Sequence, residues 1–322
     1  MRVISMSDPV RNTVLVVGSA NLDFVIRVAH VPAPGETVLG RDARAFPGGK
    51  GANQAVASAR AGGASTRMLL ALGDDANAAP IEASLQAAGV QPQVVRMPGE
   101  PTGMAFICVA DDGENAITVA AGANGLLRAD ALPALDDIDA LLLQLEIPLD
   151  TVLDGARAAR GAGCRVILNA APARALPDEL LALVDVLVVN EGELVALGGH
   201  AGDLRRSLDA ITVPCVVVTL GARGCVARVD GELLLQPAFA VDTVDTTAAG
   251  DTFCGVLAAA LAQNLPWPLA LRRASAAAAL ACTRLGAQAS IPAAAEVEAF
   301  LGRHDAGQAA AYTALADYFE RA

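Results

Sequence analysis

Aromatic residues are scarce in this sequence, 3 % of its 322 residues, with a single tryptophan. Any large core must therefore be built mainly from alanine, valine and leucine, and hydrophobic residues do make up 54 % of the chain. Basic residues are short as well: 23 Lys and Arg face 35 Asp and Glu, a formal charge of −12. An acidic surface lacks the basic footprint of general nucleic-acid binding, so no nucleic-acid partner is expected. It leaves room for an anionic ligand, because converging backbone N–H groups bind phosphate even in an acidic protein. The three histidines, His30, His200 and His304, lie far apart, which argues against a His-ligated metal or a His-based triad. The six cysteines (Cys108, Cys164, Cys215, Cys225, Cys254, Cys282) form no CxxC pair and read as small core residues of a reducing compartment. No apolar run reaches the roughly 18 residues of a membrane span, and Met1–Arg11 lacks a signal-peptide core. The expectation is a cytoplasmic protein with no membrane partner.

What is present is strand–helix alternation. Val14–Gly18 is a short apolar run of the kind buried in a parallel sheet. Similar runs recur at Met68–Leu72, Ala140–Leu145, Val166–Asn169, Val186–Asn190 and Val216–Thr219, with helical patterns such as 51–62, 78–88 and 150–162 between several of them. This predicts an α/β fold: a doubly wound, mostly parallel sheet with helices on both faces. Residues 23–29 and 36–47 alternate at short range around Pro32-Ala33-Pro34-Gly35, and 104–119 reads as a hairpin about Asp111-Asp112-Gly113-Glu114. These three pieces predict a small β-sheet lid outside the main sheet. Two alanine-rich helices follow between Asp251 and Arg284, and 303–322 reads as an amphipathic helical tail.

Polar or glycine-rich segments fall at the C-terminal ends of these strands, where open α/β sheets bind ligands. Asp245-Thr246-Thr247-Ala248-Ala249-Gly250-Asp251 leads into a helix. Its small residues let backbone N–H groups converge on an anion, and a carboxylate at Asp251 is placed to accept a proton from an incoming hydroxyl. An Asp capping its own helix is the ordinary alternative. In Gly48-Gly49-Lys50-Gly51-Ala52-Asn53-Gln54 the glycines allow close backbone approach to a ligand, and Lys50 and Asn53 are donors for sugar hydroxyls. This is not a Walker A loop, since Gly51 rather than Ser or Thr follows the lysine; a plain glycine-rich turn competes. Asn21 and Asp23, after the first strand, suit hydroxyl recognition, and turn formation competes there too. Glu146 ends another strand. Asn190 and Glu193, three apart, suit water and magnesium or equally a helix cap with its capping acid. Thr219-Leu220-Gly221-Ala222-Arg223-Gly224 suits nucleotide phosphates or ribose, or is a β-turn. A dehydrogenase is excluded by the missing GxGxxG after the first strand.

Taken together these motifs resemble the ribokinase (PfkB-type carbohydrate kinase) family over about residues 14–301. Gly48–Ala55 is similar to its N-terminal signature, Asp245–Asp251 to its C-terminal one, and Asn190–Glu193 to its N-x-x-E magnesium motif. The resemblance is closest to the ribose-phosphorylating members, through Asn21, Asp23, Gly49, Lys50, Asn53 and Glu146 and through Leu168–Arg174. It implies a ribokinase-like kinase domain over about 12–302, transfer of the γ-phosphate of ATP to O5 of D-ribose, Asp251 as base, and an anion hole at Ala248, Ala249 and Gly250. It implies a nucleotide side at Asn190, Glu193, Thr219, Gly221, Gly224, Gly250 and Ser275, with Mg²⁺. It further implies a potassium site at Asp245, Thr247, Ala281, Arg284, Gly286 and Ser290, several through carbonyls, and a homodimer joined by the lids. Other acceptors (2-deoxyribose, a nucleoside, fructose, a sugar phosphate) or a catalytically silent sugar sensor are the alternatives. Pro47, Ser275 and the long tail depart from the family pattern.

Overall fold

The computed structural model describes residues 12–304 and 309–321. Strand β1 (Thr13–Val17) leads to β2 (Asn21–Arg27) and β3 (Asp42–Gly48), then to helix α1 (Lys50–Val56), which runs on into a π-helical turn, Ala57–Ala61. Next come β4 (Ser65–Gly73), α2 (Ala78–Ala87), β5 (Gln91–Met97), β6 (Gly103–Val109) and β7 (Asn115–Ala120). The alternating half follows: β8 (Ala140–Leu143), α3 (Leu149–Ala162), β9 (Arg165–Asn169), α4 (Asp178–Leu181), β10 (Val186–Asn190), α5 (Glu191–Ala196), α6 (Leu204–Ala210) and β11 (Cys215–Thr219). A hairpin of β12 (Gly224–Val229) and β13 (Glu232–Pro237) precedes α7 (Ala249–Ala262), α8 (Trp267–Ala281), α9 (Ala294–Arg303) and α10 (Ala309–Arg321).

Nine strands form one sheet, ordered β13-β12-β11-β10-β9-β8-β1-β4-β5. Its pairs are parallel except at β11–β12 and β12–β13. Successive side chains point to opposite faces of a strand, so Val14 and Val16 join a core with Val256, Leu257 and Ala274 of α7 and α8. Leu15 and Val17 join the other core, with Val152 and Ala156 of α3. Burial on both faces is why these strands read as unbroken apolar runs. The α/β class and doubly wound arrangement are as the alternation predicts. Two regions were not foreseen. Edge strand β5 contains Pro92, which an edge tolerates but which breaks the strand pattern, and the β12–β13 hairpin begins in a segment that reads only as a turn.

The lack of aromatics has a packing consequence. Helix α7 lies so close to α1 and its π-helical continuation that a Cβ on Gly255 would sit 2.3 Å from the Gln54 carbonyl oxygen, and one on Gly62 would sit 2.3 Å from Ala259 Cβ. Small residues permit this approach, and it brings the α1 side chains to the start of α7.

The second sheet is ordered β3-β2-β6-β7. Two lid boundaries need correction. Residues 28–29 and 36–41 lie outside the strands. Pro32 and Pro34 offer no N–H for a ladder, and Glu36 closes the loop instead, accepting from Ala33 N at 2.9 Å and pairing with His30 at 2.7 Å. Pro47 lies in β3, at the edge of this sheet. At the other end of the chain, Leu315 and Phe319 of α10 are buried in the α3-side core. No helix among the described residues is long and apolar enough to cross a membrane. The signal-peptide reading of Met1–Arg11 lies outside the described residues.

Candidate active site

The structure sets Asp251 in the first turn of α7, with both carboxylate oxygens engaged. Oδ1 accepts from Gln54 Nε2 at 2.9 Å and Oδ2 accepts from Asn53 Nδ2 at 3.0 Å. Both partners are on α1. Asp251 therefore does not serve as the N-cap; that position is Ala248, in left-handed conformation at φ 59° and ψ 11°. A left-handed alanine is uncommon and mildly strained. The first-turn N–H groups of a helix lack partners within it, and Gly250 is exposed, with no atom within 4 Å of where a Cβ would stand. Ala248, Ala249 and Gly250 thus form a partly exposed helix start beside a buried carboxylate, with Ala249 N donating to Thr246 O at 3.2 Å.

Next to it, the turn from β3 into α1 packs against the chain leaving β1. Gly49 has φ 87°, and a Cβ there would lie 2.8 Å from Asn21 N; on Gly48 it would lie 1.9 Å from Asp23 Oδ2. Glu146 Oε2 accepts from Lys50 N at 3.0 Å and from Ser19 Oγ at 2.5 Å. Asn21 Oδ1 accepts from Asn124 Nδ2 at 2.8 Å, while Asn124 Oδ1 accepts from Ala20 N at 3.0 Å. The acidic groups of this cluster repel one another. Burial, then Glu146 and Asp251, push the Asp23 carboxyl up to about 7. Asp251 raises the Lys50 ammonium above its usual range, against the opposing effect of burial, with help from Glu146 and Glu193. Lys50 is the single lysine of the chain. Two buried acceptors, Asp23 Oδ1 and Asn53 Oδ1, have no hydrogen-bond partner among the described residues. Unpartnered buried acceptors are costly, and donors such as the hydroxyls of a ligand or of water would satisfy both.

The remaining site candidates end neighbouring strands. Asn190 closes β10 and caps α5: its Oδ1 accepts from Glu193 N, and Glu193 Oε2 accepts from Asn190 N, both at 2.8 Å. This is the capping box the sequence left open as an alternative. Burial raises the Glu193 carboxyl, with Lys50 lowering it and Asp251 raising it, so Glu193 shares the field of the Asp251 cluster. Asn190 is in register with Thr219. After Thr219 come Gly221, at φ 57°, and Gly224, at φ 110°, where a Cβ would lie 2.1 Å from Gln236 O. Ser275 is buried in α8 with its hydroxyl against the Cys225 thiol, which burial pushes up to about 12; Cys225 is the register partner of Thr219. The tail helix reaches this edge too. Tyr318 bonds to Glu191, Arg223 lies 4.1 Å over the Tyr318 ring, and Arg223 pairs with Glu191 at 2.7 Å.

The Asp245 loop is tied to the chain after α8. Asp245 Oδ1 accepts from Thr247 N at 2.9 Å and Thr247 Oγ1 at 2.6 Å, and Oδ2 accepts from Gly286 N at 2.9 Å. These hydrogen bonds outweigh burial and lower the Asp245 carboxyl. Arg284 N bonds to Ala281 O at 3.2 Å, the Arg284 guanidinium turns away to Glu296, and buried Ser290 donates to Ala287 O at 2.8 Å. A carboxylate, hydroxyls and carbonyls on two joined loops form a hard-oxygen set that fits a monovalent cation. For magnesium, no group of three or more His, Cys, Asp or Glu side chains is arranged to hold a metal among the described residues. Glu193 beside the open helix start fits an ion held largely by water and phosphate oxygens.

Several side chains that complete this site carry no signal of their own in the sequence. Gln54, Asn124 and Gln144 are buried amides that bond to site groups. Gln54 stands beside Asn53 in the glycine-rich motif, whereas Asn124 and Gln144 lie in segments without a motif. Ser19 and Asn169 lie inside motifs in which the neighbouring residues draw the attention.

Comparison with known proteins gives the same picture across the chain. The family model for pfkB family carbohydrate kinases matches residues 11–294. A ribokinase of Haemophilus influenzae is 39 % identical over 303 residues, covering 90 % of this chain and 99 % of the relative. Among solved structures, a ribokinase from Thermotoga maritima superposes with a TM-score of 0.83 at 38 % identity, covering 90 % of this chain and 99 % of that one. An Arabidopsis thaliana ribokinase complexed with ribose and ATP superposes with a TM-score of 0.83 at 34 % identity, covering 89 % and 98 %.

Proposed function

The chain belongs to the pfkB family of carbohydrate kinases, and from that membership we infer that it is a ribokinase: it transfers the γ-phosphate of ATP to O5 of D-ribose. The observation that carries the acceptor is the pair of unpartnered buried oxygens, Asp23 Oδ1 and Asn53 Oδ1, set between Lys50, Glu146 and Asp251. They call for a polyhydroxyl ligand, and Asp251, whose Oδ2 adjoins Asn53, is the base that takes the proton of the attacking hydroxyl. The helix start at Ala248–Gly250 offers N–H groups to the charge that develops on the transferred phosphoryl group, the main catalytic contribution in this chemistry. A sugar-phosphate acceptor would need free cations in the lid. The candidates for that, Arg41 and Arg44, are paired with Asp111 and Asp42.

The nucleotide side is formed by Asn190, Glu193, Thr219, Gly221, Gly224 and Gly250, with Ser275 one strand from Thr219. Glu193 would help to hold magnesium there, and the ion would supply charge neutralisation at the nucleotide phosphates. Asp245, Thr247 and Gly286, with Ala281, Arg284 and Ser290, would hold a potassium ion, which would steady the loop that carries Ala248. The test is ADP release from Mg-ATP over a panel of D-ribose, 2-deoxyribose, fructose, fructose 6-phosphate and adenosine, with and without K⁺. Ribose is expected to give the highest kcat/KM, rising with K⁺. Preference for another acceptor overturns the sugar assignment, and indifference to K⁺ overturns the cation assignment. The protein acts in the cytoplasm, in keeping with its free cysteines.

The protein is a homodimer. In the lid, Val25, Ile107 and Ile117 are in register across β2, β6 and β7 and share a face with Val119. Ile117 is 57 % exposed and Val119 48 %. A flat apolar sheet face with open edges is a poor surface to leave in water, and a second lid covers it with the same chemistry. Light scattering should give twice the chain mass, and Ile117→Lys should halve it; a monomeric wild type removes the idea.

A further inference from the structure

We propose that Gln54 is a positioning residue for the catalytic base, fixing which oxygen of Asp251 faces the sugar. The inference rests on the kinase reading of Asp251. Gln54 is fully buried on α1. Its Nε2 donates to Asp251 Oδ1 at 2.9 Å and to Asn169 Oδ1 at 3.0 Å, and its Oε1 accepts from Gln144 Nε2 at 2.6 Å. Both amide hydrogens and the amide oxygen are thereby used.

The chemistry of the partners dictates this orientation. An ionised carboxylate only accepts hydrogen bonds, so the Gln54 group facing Asp251 must be the NH₂. Asn169 agrees with that choice: its Nδ2 donates to Val188 O at 3.2 Å, which turns its Oδ1 toward Gln54. A flipped Gln54 would set its oxygen against two other oxygens. Strands β8 and β9, through Gln144 and Asn169, therefore hold the amide, and the amide holds Asp251 Oδ1. Oδ2 accepts from Asn53 Nδ2 at 3.0 Å, and its remaining lone pair is the one presented to the acceptor hydroxyl. Because an amide is neutral, it restrains the carboxylate without supplying a competing charge. Lys50 is the cation of the cluster and lies on the same helix start. Gly255 makes the arrangement possible, since any larger residue there would run into Gln54 O.

The test uses steady-state kinetics on wild type, Asp251→Asn, Gln54→Met and Gln144→Leu, with thermal melts on the same preparations. Gln54→Met keeps the bulk and loses the donor. Its kcat should fall about 10- to 100-fold, the loss expected for one hydrogen bond to a charged group, with KM for ribose and for ATP changed less than about threefold. Gln144→Leu frees the other end of the amide. Gln144 Oε1 has no hydrogen-bond partner among the described residues, so this variant removes one unsatisfied acceptor while taking the donor from Gln54 Oε1; the two effects oppose each other, and the melting temperature should stay near that of wild type while kcat falls. A purely structural role for Gln54, tying the buried amides together, predicts lowered melting temperature with kcat per folded molecule intact; that result, or a change in KM alone, overturns the proposal. So does normal kcat in Gln144→Leu. A wild type that releases no ADP with any acceptor of the panel, or an Asp251→Asn enzyme with full kcat, overturns the kinase reading of Asp251 on which the proposal rests. Active wild type, inactive Asp251→Asn and normal Gln54→Met would sink only the positioning role.

Discussion

Asp251→Asn should lower kcat for ribose by about 10²–10⁴-fold, the usual contribution of a general base, with the affinities for ribose and ATP altered little. The substitution is nearly isosteric. The asparagine oxygen still accepts from Gln54 Nε2, and its NH₂ faces Asn53, whose amide can turn its unpartnered Oδ1 to accept from it, so the pocket keeps its shape. What disappears is the ability to take a proton, and with it the negative charge that raises the Lys50 ammonium. ADP release measures the kcat, and calorimetric titration with ribose measures the binding. A variant that keeps most of the wild-type kcat would mean another group accepts the proton.

The second large effect is at Asp23, where activity and stability pull in opposite directions. Its carboxyl is raised from 3.8 to about 7 by burial and by the neighbouring Glu146 and Asp251. In the unfolded chain it ionises at its ordinary value. Between those two pH values the folded state holds a proton that the unfolded state has released, so stability falls as pH rises from about 4 to about 7, and the full cost is present above 7. By linkage that cost is at most on the order of 4 kcal/mol. Asp23→Asn removes it and should raise the melting temperature at pH 8, with a smaller gain at pH 5. The same change takes a charged acceptor from the sugar, which at about 1.5–3 kcal/mol per hydrogen bond to a charged group lowers kcat/KM for ribose at least tenfold. In wild type, kcat/KM for ribose should fall below about pH 7 as Asp23 takes up its proton, and this limb should vanish in Asp23→Asn. Equal melting curves for the two proteins at pH 8 would show that Asp23 carries no such strain.

Much of the site was legible because its residues serve local backbone needs as well as chemistry. Gly48 and Gly49 are forced by contact with Asp23 and Asn21, and such positions leave glycine-rich motifs. Asp251 follows small residues because the helix must begin in the open. The buried amides were not legible. Gln54, Asn124 and Gln144 look like ordinary polar residues in a sequence. They acquire roles only when distant segments meet: Gln54 and Asp251 are 197 residues apart, and Asn21 and Asn124 103 apart. In the fold, the apolar strands buried on both faces announced themselves. Strand β5 did not, because an edge strand may carry polar residues and a proline without cost to the sheet. The lid was placed approximately: Glu36, which looked like the start of a strand, instead closes a proline-rich loop.

The solitary lysine of the chain has a practical consequence for anyone who attaches this protein to something else. Reagents that couple to primary amines have a single side chain to find, and it is Lys50, beside Asp251 and Glu146. Amine-directed dyes, biotin esters and sensor-chip chemistry therefore report on, or block, the sugar pocket whenever they do not react at the chain's own α-amino group. The surface cations are arginines, which such reagents ignore, and the Lys50 ammonium, raised by Asp251, is a poor nucleophile at neutral pH, so mild conditions direct coupling to the α-amino group and spare the pocket.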